Sequence, residues 1–194
     1  MSELRPVRRL DAGYVLDAFD CGVPALDEWL RRFALSDQRA GASVTYALAR
    51  GQRVVGFYTL APHAIEPDEA AARLGAGLPR RRPIPVILLA RLGLDRSEHG
   101  SGLGAELLRD ALARCAAAAV EIGGRAVLVH AKDDTAASFY RRYGFQPLPE
   151  NPRHVYILMK DLRASIRHSL ESPARRDGAG LPTTPMRDSR KRDS

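Results

Sequence analysis

The sequence has few of the residues that build disulfide-stapled or metal-dependent proteins. Of its 194 residues only two are cysteines, Cys21 and Cys115, and they form no C-x-x-C pair. So few thiols exclude a disulfide framework, and we expect both to be reduced. The five histidines include no H-x-x-x-H pair, so the sequence predicts no metal site.

Long apolar runs are also missing. The longest, residues 84–94, contains Arg91 and is about half as long as the roughly 20 residues that a membrane-spanning helix requires. The first six residues, MSELRP, have no apolar core of the kind that a secretory signal carries. We therefore expect a cytoplasmic protein with no membrane span.

Lysine is scarce, although the chain is basic. Of its 30 basic residues 27 are arginines, and with 23 acidic residues the net charge is +7. A bias toward arginine can reflect genomic base composition alone. The sequence pI of about 9.9 nevertheless favours anionic partners such as phosphates, cofactors or nucleic acid, without choosing among them.

Length and composition predict one folded domain followed by a tail. With 45% hydrophobic and 27% charged residues, the chain has the composition of a globular domain. Residues 171–194 are rich in proline, glycine, serine and charge and show no apolar periodicity. Such a segment buries too little apolar surface to offset its ordering entropy. We expect a domain over residues 1–170 and a disordered basic tail over 171–194.

Apolar periodicity indicates alternating strands and helices. Helices are predicted over residues 24–38, 66–74, 103–122 and 135–143. Strands are predicted over residues 44–49, 54–60, 86–94, 126–130 and 155–159. The first two strands form a hairpin, and the later ones alternate with helices, so we expect an α/β domain with a mixed sheet. The nearly continuous apolar strand over 86–94 is expected to be covered on both faces.

The most distinctive segment is a glycine-rich loop between the strongest predicted strand and the longest predicted helix. It reads His99-Gly100-Ser101-Gly102-Leu103-Gly104-Ala105. Glycines allow the backbone to approach a ligand closely and to turn its amides toward it. The N-terminus of the following helix adds free N–H donors and a partial positive charge. The segment is therefore typical of a loop that binds diphosphate through its backbone.

Three interpretations of this loop stay open on the residues alone. The first is a tight turn with no ligand. The second is a dinucleotide-binding loop, since residues 100–105 satisfy G-x-G-x-x-[G/A]. The nearest acids, Glu121 and Asp133, do not stand at the end of the next strand, where such a loop requires one. The third is an acyl-CoA site, which needs the cradle but no ribose-binding acid. A Walker loop is excluded because no Gly-Lys-Ser/Thr follows.

Several segments together resemble one family. Residues 91–95 followed by 99–104 resemble the acetyl-CoA motif Q/R-x-x-G-x-G/A of GNAT acetyltransferases, with His99 in place of the usual Gln or Arg. Residues 134–145, DTAASFYRRYGF, look like the family's A-x-x-F-Y-x-x-x-G-F signature. Residues 19–30, FDCGVPALDEWL, and 79–85, PRRRPIP, are similar to the GNAT toxins of type II toxin–antitoxin pairs. The resemblance covers about residues 5–162.

The resemblance implies a GNAT fold, a central splayed mixed β-sheet flanked by helices, with acetyl-CoA as acetyl donor and no metal. In that fold the central strand holds the acetyl carbonyl and pantetheine, and the glycine loop holds the diphosphate. The implied donor-binding residues are Leu92, Gly93, Leu94, His99, Gly100, Ser101, Gly102, Leu103, Gly104 and Ala105. Gly93 is expected to mark the bulge that the splay requires. A glycine merely tolerated in the strand explains it equally well.

Tyr140 is the candidate catalytic acid, because the family's corresponding tyrosine protonates the departing thiolate. A phenol with a pKa of about 10 can pass a proton to a thiolate whose conjugate acid has a pKa of about 8.5. The alternative is a core residue, since Tyr140 shares a helical face with Ala136, Phe139 and Tyr143. The resemblance favours catalysis.

No general base stands out. His63, His130 and Glu66 are candidates, but each is equally well explained as a loop or strand-end residue. The α-amine of an aminoacyl ester needs little assistance from a general base, because free α-amino groups titrate at about pH 7.7–8.0.

Two arginine groups are candidates for contacts with RNA. They are Arg31, Arg32 and Arg39 in the N-terminal helical region, and Arg80, Arg81 and Arg82 between prolines. A solvated surface is the ordinary explanation of such residues. Contacts between arginine and phosphate are independent of base sequence and sensitive to salt, so these groups are predicted to hold the acceptor stem of a tRNA.

The sequence thus predicts an acetyl-CoA-dependent N-acetyltransferase, a toxin that acetylates the α-amine of aminoacyl-tRNA and blocks translation. One alternative is a GNAT acetyltransferase for a small amine or a protein N-terminus. A less favoured one is a non-catalytic regulator that binds acyl-CoA or nucleic acid. The resemblance also implies a homodimer and a ribbon–helix–helix antitoxin as partner.

Overall fold

The computed structural model describes residues 3–79 and 81–171. Within them the strands are β1 Leu4–Arg9, β2 Val44–Arg50, β3 Arg53–Ile65, β4 Ile84–Leu94, β5 Ala126–His130, β6 Gln146–Pro147 and β7 His154–Leu158. The helices are α1 Pro24–Arg32, α2 Ala34–Arg39, α3 Ala72–Gly75, α4 Leu103–Glu121, α5 Asp134–Arg141 and α6 Met159–Glu171. None of these helices is both long and apolar enough to cross a bilayer.

The strands form one mixed sheet in the order β1-β2-β3-β4-β5-β7-β6. β4 and β5 run parallel, and the other neighbouring pairs are antiparallel. Helix α4 makes the crossover between the two parallel strands, because parallel neighbours cannot be joined by a tight turn. The predicted α/β class with a mixed sheet is confirmed.

Helices cover both faces of the sheet. On one face α4 buries Leu107, Leu108 and Ala111 completely. On the other face α1, α2 and the chain before them enclose Phe19 and Phe57, which are at most 2% exposed. Burying a large apolar side chain contributes about 1.5–3 kcal/mol, so these contacts fix both helical layers on the sheet.

The helix predicted over 24–38 is two helices, which meet at Phe33. The break turns α2 toward β2, where the Gln38 amide donates to the carbonyl of Leu10 (2.8 Å) and accepts from the N–H of Thr45 (3.1 Å). The periodicity runs through the break because both helices bury the same side. The direction of α2 is therefore held by hydrogen bonds to residues that are distant along the chain.

Other elements differ from the prediction at their ends. The helix predicted over 66–74 is confined to α3, because residues 66–69 form a single turn in which the N–H of Glu69 donates to the carbonyl of Glu66 (3.1 Å). Met159, predicted as strand, begins α6, a helix that the sequence analysis did not predict. β1 and β6 were also missed. Residues 172–194 of the predicted tail lie outside the described residues.

The centre of the sheet is splayed, as the resemblance implied. β4 and β5 are paired only at Ile87 with Val127 and at Leu88 with Leu128, although both strands continue beyond these pairs. On the other side of β4, the register with β3 shifts so that Ala90 is an extra residue. The bulge predicted at Gly93 is therefore wrong, because it lies at Ala90.

Gly93 serves packing between β4 and α1. It pairs regularly with Phe57. A β-carbon at this position would stand 2.9 Å from the Phe57 ring and 3.2 Å from the side chain of Leu26. Both distances are shorter than ordinary carbon contacts, and the Phe57 ring is fully buried. Gly93 thus lets α1 and the aromatic core approach the central strand closely.

We expect Gly93→Ala to lower the free energy of unfolding by about 1–3 kcal/mol, the usual cost of overpacking a core. Chemical denaturation of the protein without ligands measures the change. Gly104→Ala is the matched control, because its β-carbon would meet Leu94 at 3.9 Å, an ordinary contact, and alanine favours a helix. Equal stability of the wild type and Gly93→Ala would contradict this role.

Candidate active site

The splay opens a cleft of about 860 Å³ in the middle of the sheet. Its walls come from the second half of β4, the end of β5, helix α1 with the loop before it, and the start of α5. The lining includes Trp29, Phe33, Arg91, Leu92, Gly93, Leu94, His99, His130 and Tyr140. The structure thus brings Leu92, Gly93, Leu94, His99 and Tyr140, all predicted from sequence, to one cavity.

The glycine loop leaves this cleft and leads into α4. Gly100 and Gly102 have φ angles of +79° and +85°, in the left-handed region that favours glycine. A β-carbon at either residue would meet no atom within 4 Å. The glycines are therefore required by backbone conformation, and the space beside them is open.

The amides of the loop fall into two sets. In the first set, the N–H groups of His99, Ser101 and Ala105 donate to the carbonyls of Arg96 (3.2 Å), Glu98 (3.3 Å) and Gly102 (3.0 Å). The N–H of Leu103 donates to the hydroxyl of Ser101 (3.4 Å). Among the described residues, no acceptor is bound to the N–H groups of Gly100, Gly102 and Gly104. These unpaired donors stand at the N-terminus of α4, a 19-residue helix. The arrangement suits a diphosphate.

His99 has a structural contact in addition to its place in the lining. Its Nε2 donates to the carbonyl oxygen of Leu94 at 2.9 Å, which ties the start of the loop to the end of β4. His99 thus substitutes for the family's usual Gln or Arg without closing the cradle.

A buried carboxylate holds the turn before the loop. Asp95 is 3% exposed and accepts hydrogen bonds from the N–H (3.0 Å) and hydroxyl (2.6 Å) of Ser97. It also accepts from the N–H of Asp20 (3.2 Å) and from the guanidinium of Arg53 (3.1 Å). Burial alone would raise the pKa of Asp95, but these donors outweigh burial and the pKa is lowered. Asp95 is therefore charged and anchors the turn to β3.

A second carboxylate completes the anchor. Glu98 is 8% exposed and accepts two hydrogen bonds from Arg50, at 2.6 Å from Nε and 3.0 Å from Nη2. The bond from Arg50 lowers the pKa of Glu98. Two-point pairing fixes direction as well as distance. The sequence analysis missed both anchors, since Arg50 and Arg53 lie more than forty positions before their partners.

Tyr140 is both a core residue and a wall of the cleft. It is 7% exposed, and its ring packs against those of Phe139 (centroids 5.2 Å apart) and Phe145 (5.5 Å). Burial raises the pKa of Tyr140. The hydroxyl is therefore protonated at neutral pH, as a proton donor must be. The two interpretations from sequence are compatible, because the ring packs in the core and the residue lines the cavity.

Three histidines from three strands form a cluster in which the rings of His130 and His154 stack and His63 meets His130 edge-on. The His130 ring lies 4.0 Å from that of His154 and 5.8 Å from that of His63, between centroids. Burial, and then the charges of His154 and His63, lower the pKa of His130 to about 4. Of the predicted bases, His130 lines the cleft, and His63 packs against the His130 ring. Glu66 is exposed beyond the end of β3.

Burial disfavours the thiolate form of both cysteines. Cys21 lines the cleft, but burial and a hydrogen bond to Asp27 raise its pKa to about 12. Burial also raises the pKa of Cys115 to about 12. Both thiols are free, as predicted. The described residues contain no group of three or more His, Cys, Asp or Glu side chains that could hold a metal ion.

The first predicted arginine group lies on α1, which lines the cleft, and on α2. Arg31, Arg32 and Arg39 are exposed near the ends of α1 and α2. Arg31 donates to the carbonyl of Phe19 (3.1 Å), and Arg32 pairs with the exposed Glu28 at 2.7 Å. Exposed pairs of this kind contribute little to stability, so Arg32 can exchange its partner for a phosphate.

The second predicted group lies at the opposite end of β4. Arg81 and Arg82 are exposed and precede Ile84, the first residue of the strand. Nine residues separate Ile84 from Gly93, where α1 packs, which is roughly 30 Å along a strand. The structure therefore does not bring the two groups together. Arg80 lies outside the described residues.

Comparison with known proteins identifies relatives along most of the chain. The family described as an acetyltransferase (GNAT) domain matches residues 41–147. A tRNA-acetylating toxin of Mycobacterium tuberculosis is 45% identical over 166 residues, which are 86% of this chain and 99% of the relative. The match therefore extends over the described domain on both sides of the cleft.

Solved structures share the fold. AtaT in complex with acetyl-methionyl-tRNAfMet is 30% identical, with a TM-score of 0.77, over 84% of this chain and 99% of that chain. A mutant AtaT toxin bound to the C-terminus of the antitoxin AtaR and to acetyl-CoA is 31% identical, with a TM-score of 0.72, over 85% and 99%.

The match to the family is also local to the site. Residues 41–147 include the splayed strand β4, the glycine loop, α4 and Tyr140. Their geometry combines unpaired amides at a helix N-terminus with a cleft between parting strands. On this evidence the chain belongs to the GNAT acetyltransferase family.

Proposed function

We propose that this protein transfers the acetyl group of acetyl-CoA to the α-amine of an aminoacyl-tRNA and thereby acts as a toxin that blocks translation. The observation that carries the proposal is the open cleft between β4 and β5, with unpaired loop amides at one end and Tyr140 in its wall. The 45% identity to a tRNA-acetylating toxin over nearly the whole relative supports the choice of acceptor.

Residues of β4 and the loop bind the donor in this proposal. The N–H groups of Gly100, Gly102 and Gly104 hold the diphosphate, and the positive end of the α4 dipole adds to their attraction. Leu92, Gly93 and Leu94, which line the cleft beyond the β4–β5 pairs, offer strand amides and carbonyls to the pantetheine and the acetyl group. Acetyl-CoA supplies an activated thioester carbonyl.

Tyr140 completes the transfer. The amine nitrogen forms a bond to the acetyl carbon while the bond from that carbon to sulfur breaks, and the thiolate leaves with the electron pair. Tyr140 donates its hydroxyl proton to this sulfur and recovers a proton from solvent. Its position in the cleft wall and its protonated state at neutral pH support this role.

His130 accepts the proton that the amine loses. The attacking nitrogen becomes positively charged and strongly acidic, so a weak base is sufficient. The His130 ring lines the cleft and is neutral at physiological pH, because its pKa is lowered to about 4. A neutral imidazole has a free ring nitrogen that can accept this proton.

We infer from the same relationship that a ribbon–helix–helix antitoxin, a homodimeric state and a cytoplasmic location accompany this activity. A mutant AtaT toxin is bound to the antitoxin AtaR, which supports an antitoxin partner for this chain. Arg31, Arg32, Arg39, Arg80, Arg81 and Arg82 are proposed to contact the phosphates of the tRNA.

The central experiment uses labelled acetyl-CoA and total charged tRNA with the pure protein, followed by identification of the aminoacyl group that carries label. We expect label on one or a few aminoacyl esters. Label on small amines or protein N-termini, with charged tRNA unmodified, would replace the proposed acceptor by the first alternative. Binding of acetyl-CoA without transfer to any acceptor would favour a regulator.

We expect Gly102→Ala to weaken the binding of acetyl-CoA at least about tenfold, measured by calorimetry. A side chain disfavours the φ of +85°, so the loop shifts and its amides no longer converge on the diphosphate. Gly77→Ala is the matched control, because Gly77 also has a positive φ, +78°, and lies away from the loop. Equal weakening in both variants would show that strain alone, and not the cradle, is responsible.

We expect Tyr140→Phe to retain the affinity for acetyl-CoA and to lose most turnover, about 100-fold or more, as for a general acid. The ring still fills its place between Phe139 and Phe145, so stability changes little. Steady-state release of the CoA thiol in the presence of charged tRNA gives kcat, and calorimetry gives the affinity. Undiminished kcat would remove Tyr140 from the mechanism.

Affinity for tRNA is expected to fall as salt rises, with a linear dependence of log K on log salt concentration. Replacing Arg81 and Arg82 by Ala should reduce the slope by about 2, since each contact with a phosphate contributes nearly one ion. Arg109→Ala, an exposed arginine on α4, is the control. A slope that the double substitution leaves unchanged would remove the pair from the interface.

A further inference from the structure

Arg91 is held in the cleft by an aromatic column. Its guanidinium carbon lies 3.8 Å from the centroid of the Trp29 ring. Trp29 stacks in turn on Phe57, with centroids 6.2 Å apart and an angle of 19° between the planes. Phe57 is fully buried and Trp29 is 9% exposed. The column therefore fixes the position of the guanidinium, and stacking on an indole is the strongest form of cation–π contact.

No carboxylate in the described part of the chain contacts Arg91 directly, although the charge of Asp37 acts on it from a distance. Other partly buried arginines, such as Arg50, Arg53 and Arg114, pair with carboxylates within 3.1 Å. Among the described residues, Arg91 has no carboxylate or carbonyl at hydrogen-bond distance. Its N–H donors are thus partly withdrawn from water without a replacement, which is costly unless an anion binds there.

Arg91 lies on the face of the sheet that α1 covers, opposite to the face that α4 covers. It shares its strand face with Gly93, whose missing side chain leaves room for Phe57 and Leu26. Helix α4 packs on the other face, where a β-carbon on Gly56 would meet Leu107. Arg91 therefore belongs to the α1 wall, and the diphosphate cradle belongs to α4. An anion on Arg91 is not the diphosphate of the donor.

An exposed aromatic ring continues the α1 wall. Phe33 is 45% exposed and lines the same cleft. Its N–H donates to the carbonyl of Trp29 at 2.8 Å, so the two rings stand one helical turn apart on one side of α1. The guanidinium of the exposed Arg32 lies 5.7 Å from the centroid of the Phe33 ring and would have to share or leave that face. A stacked cation followed by an exposed aromatic ring is the combination that binds the backbone and bases of single-stranded nucleic acid.

We propose that Arg91, held on Trp29, binds a backbone phosphate of the single-stranded 3′ end of an RNA, and that Phe33 stacks on a base of that end. The proposal rests on the proposed function and deepens it, since it names the part of the tRNA that the cleft recognises. Arg91 and Phe33 contact the RNA, and Trp29 is a positioning residue.

The test measures binding of uncharged RNA, so it does not depend on acetyl transfer. The probes are a hairpin with a single-stranded CCA end and three versions in which one of the phosphates in that end is a neutral methylphosphonate. Fluorescence anisotropy gives Kd for the wild type, Arg91→Met, Arg91→Lys and Phe33→Leu. Arg109→Met is the matched control, because Arg109 is exposed on α4. Calorimetry with acetyl-CoA verifies that each variant retains a folded donor site.

We expect one methylphosphonate to weaken the wild type at least about tenfold, the size of a hydrogen bond between charged groups. The same methylphosphonate should change the affinity of the Arg91→Met protein for the RNA by less than about twofold, because the guanidinium that pairs with the phosphate is already absent. Arg91→Lys should regain only part of the affinity, since lysine lacks the planar fork that stacks and pairs. Phe33→Leu should weaken all four RNAs equally, because stacking does not involve the phosphate.

Two results would overturn the proposal. One is the same loss in the wild type and in Arg91→Met at each methylphosphonate. The other is unchanged affinity for RNA in the variants together with a change in the molecular mass of the protein in solution. That result would assign Arg91, Trp29 and Phe33 to a contact between copies of the protein. If the phosphate dependence holds but charged tRNA is not acetylated, the proposed function fails and the RNA contact stands.

Discussion

Where β4 and β5 part, backbone groups of two central strands lose their hydrogen-bond partners. Buried amides and carbonyls without partners are costly, and native proteins keep them only where another molecule satisfies them. The two strands are joined at two residue pairs, and the cleft begins where the pairing ends. A ligand that carries amides of its own, as pantetheine does, restores the missing hydrogen bonds. The site is therefore a gap in the sheet that an extended acyl carrier fits.

Two ion pairs hold the backbone N–H groups of the glycine loop in place. Asp95 and Glu98 are buried carboxylates, and their guanidinium partners Arg50 and Arg53 stand at the facing ends of β2 and β3. The pairs fix the turn before the glycines, so the glycines themselves need no side chains to hold them. Because the amides are positioned before a ligand arrives, binding costs little ordering entropy.

How far the sequence predicts the site depends on the range of each interaction. The glycine loop and Tyr140 lie in short local patterns, and the structure places Tyr140 and the first residue of the loop, His99, in one cleft. Gly93 was predicted to mark a bulge, but the atoms that forbid a side chain there belong to Phe57 and Leu26, which are distant in sequence. The break at Phe33 and the stack of Arg91 on Trp29 also depend on contacts across the fold. Periodicity carries no signal for them.

The arginine-rich composition has two physical uses in this fold. Arginines with carboxylate partners, such as Arg50 on Glu98 and Arg53 on Asp95, act inside the protein, where a planar fork can satisfy two acceptors at once. Other arginines have no carboxylate partner at hydrogen-bond distance among the described residues: Arg91 is stacked on Trp29 at the cleft, and Arg81 and Arg82 are exposed before β4. Lysine would serve poorly for both purposes, because it neither stacks on indole as a plane nor pairs at two points. The same residue type thus fixes the turn before the glycine loop through paired guanidinium groups and places a stacked cation, Arg91, in the wall of the cleft.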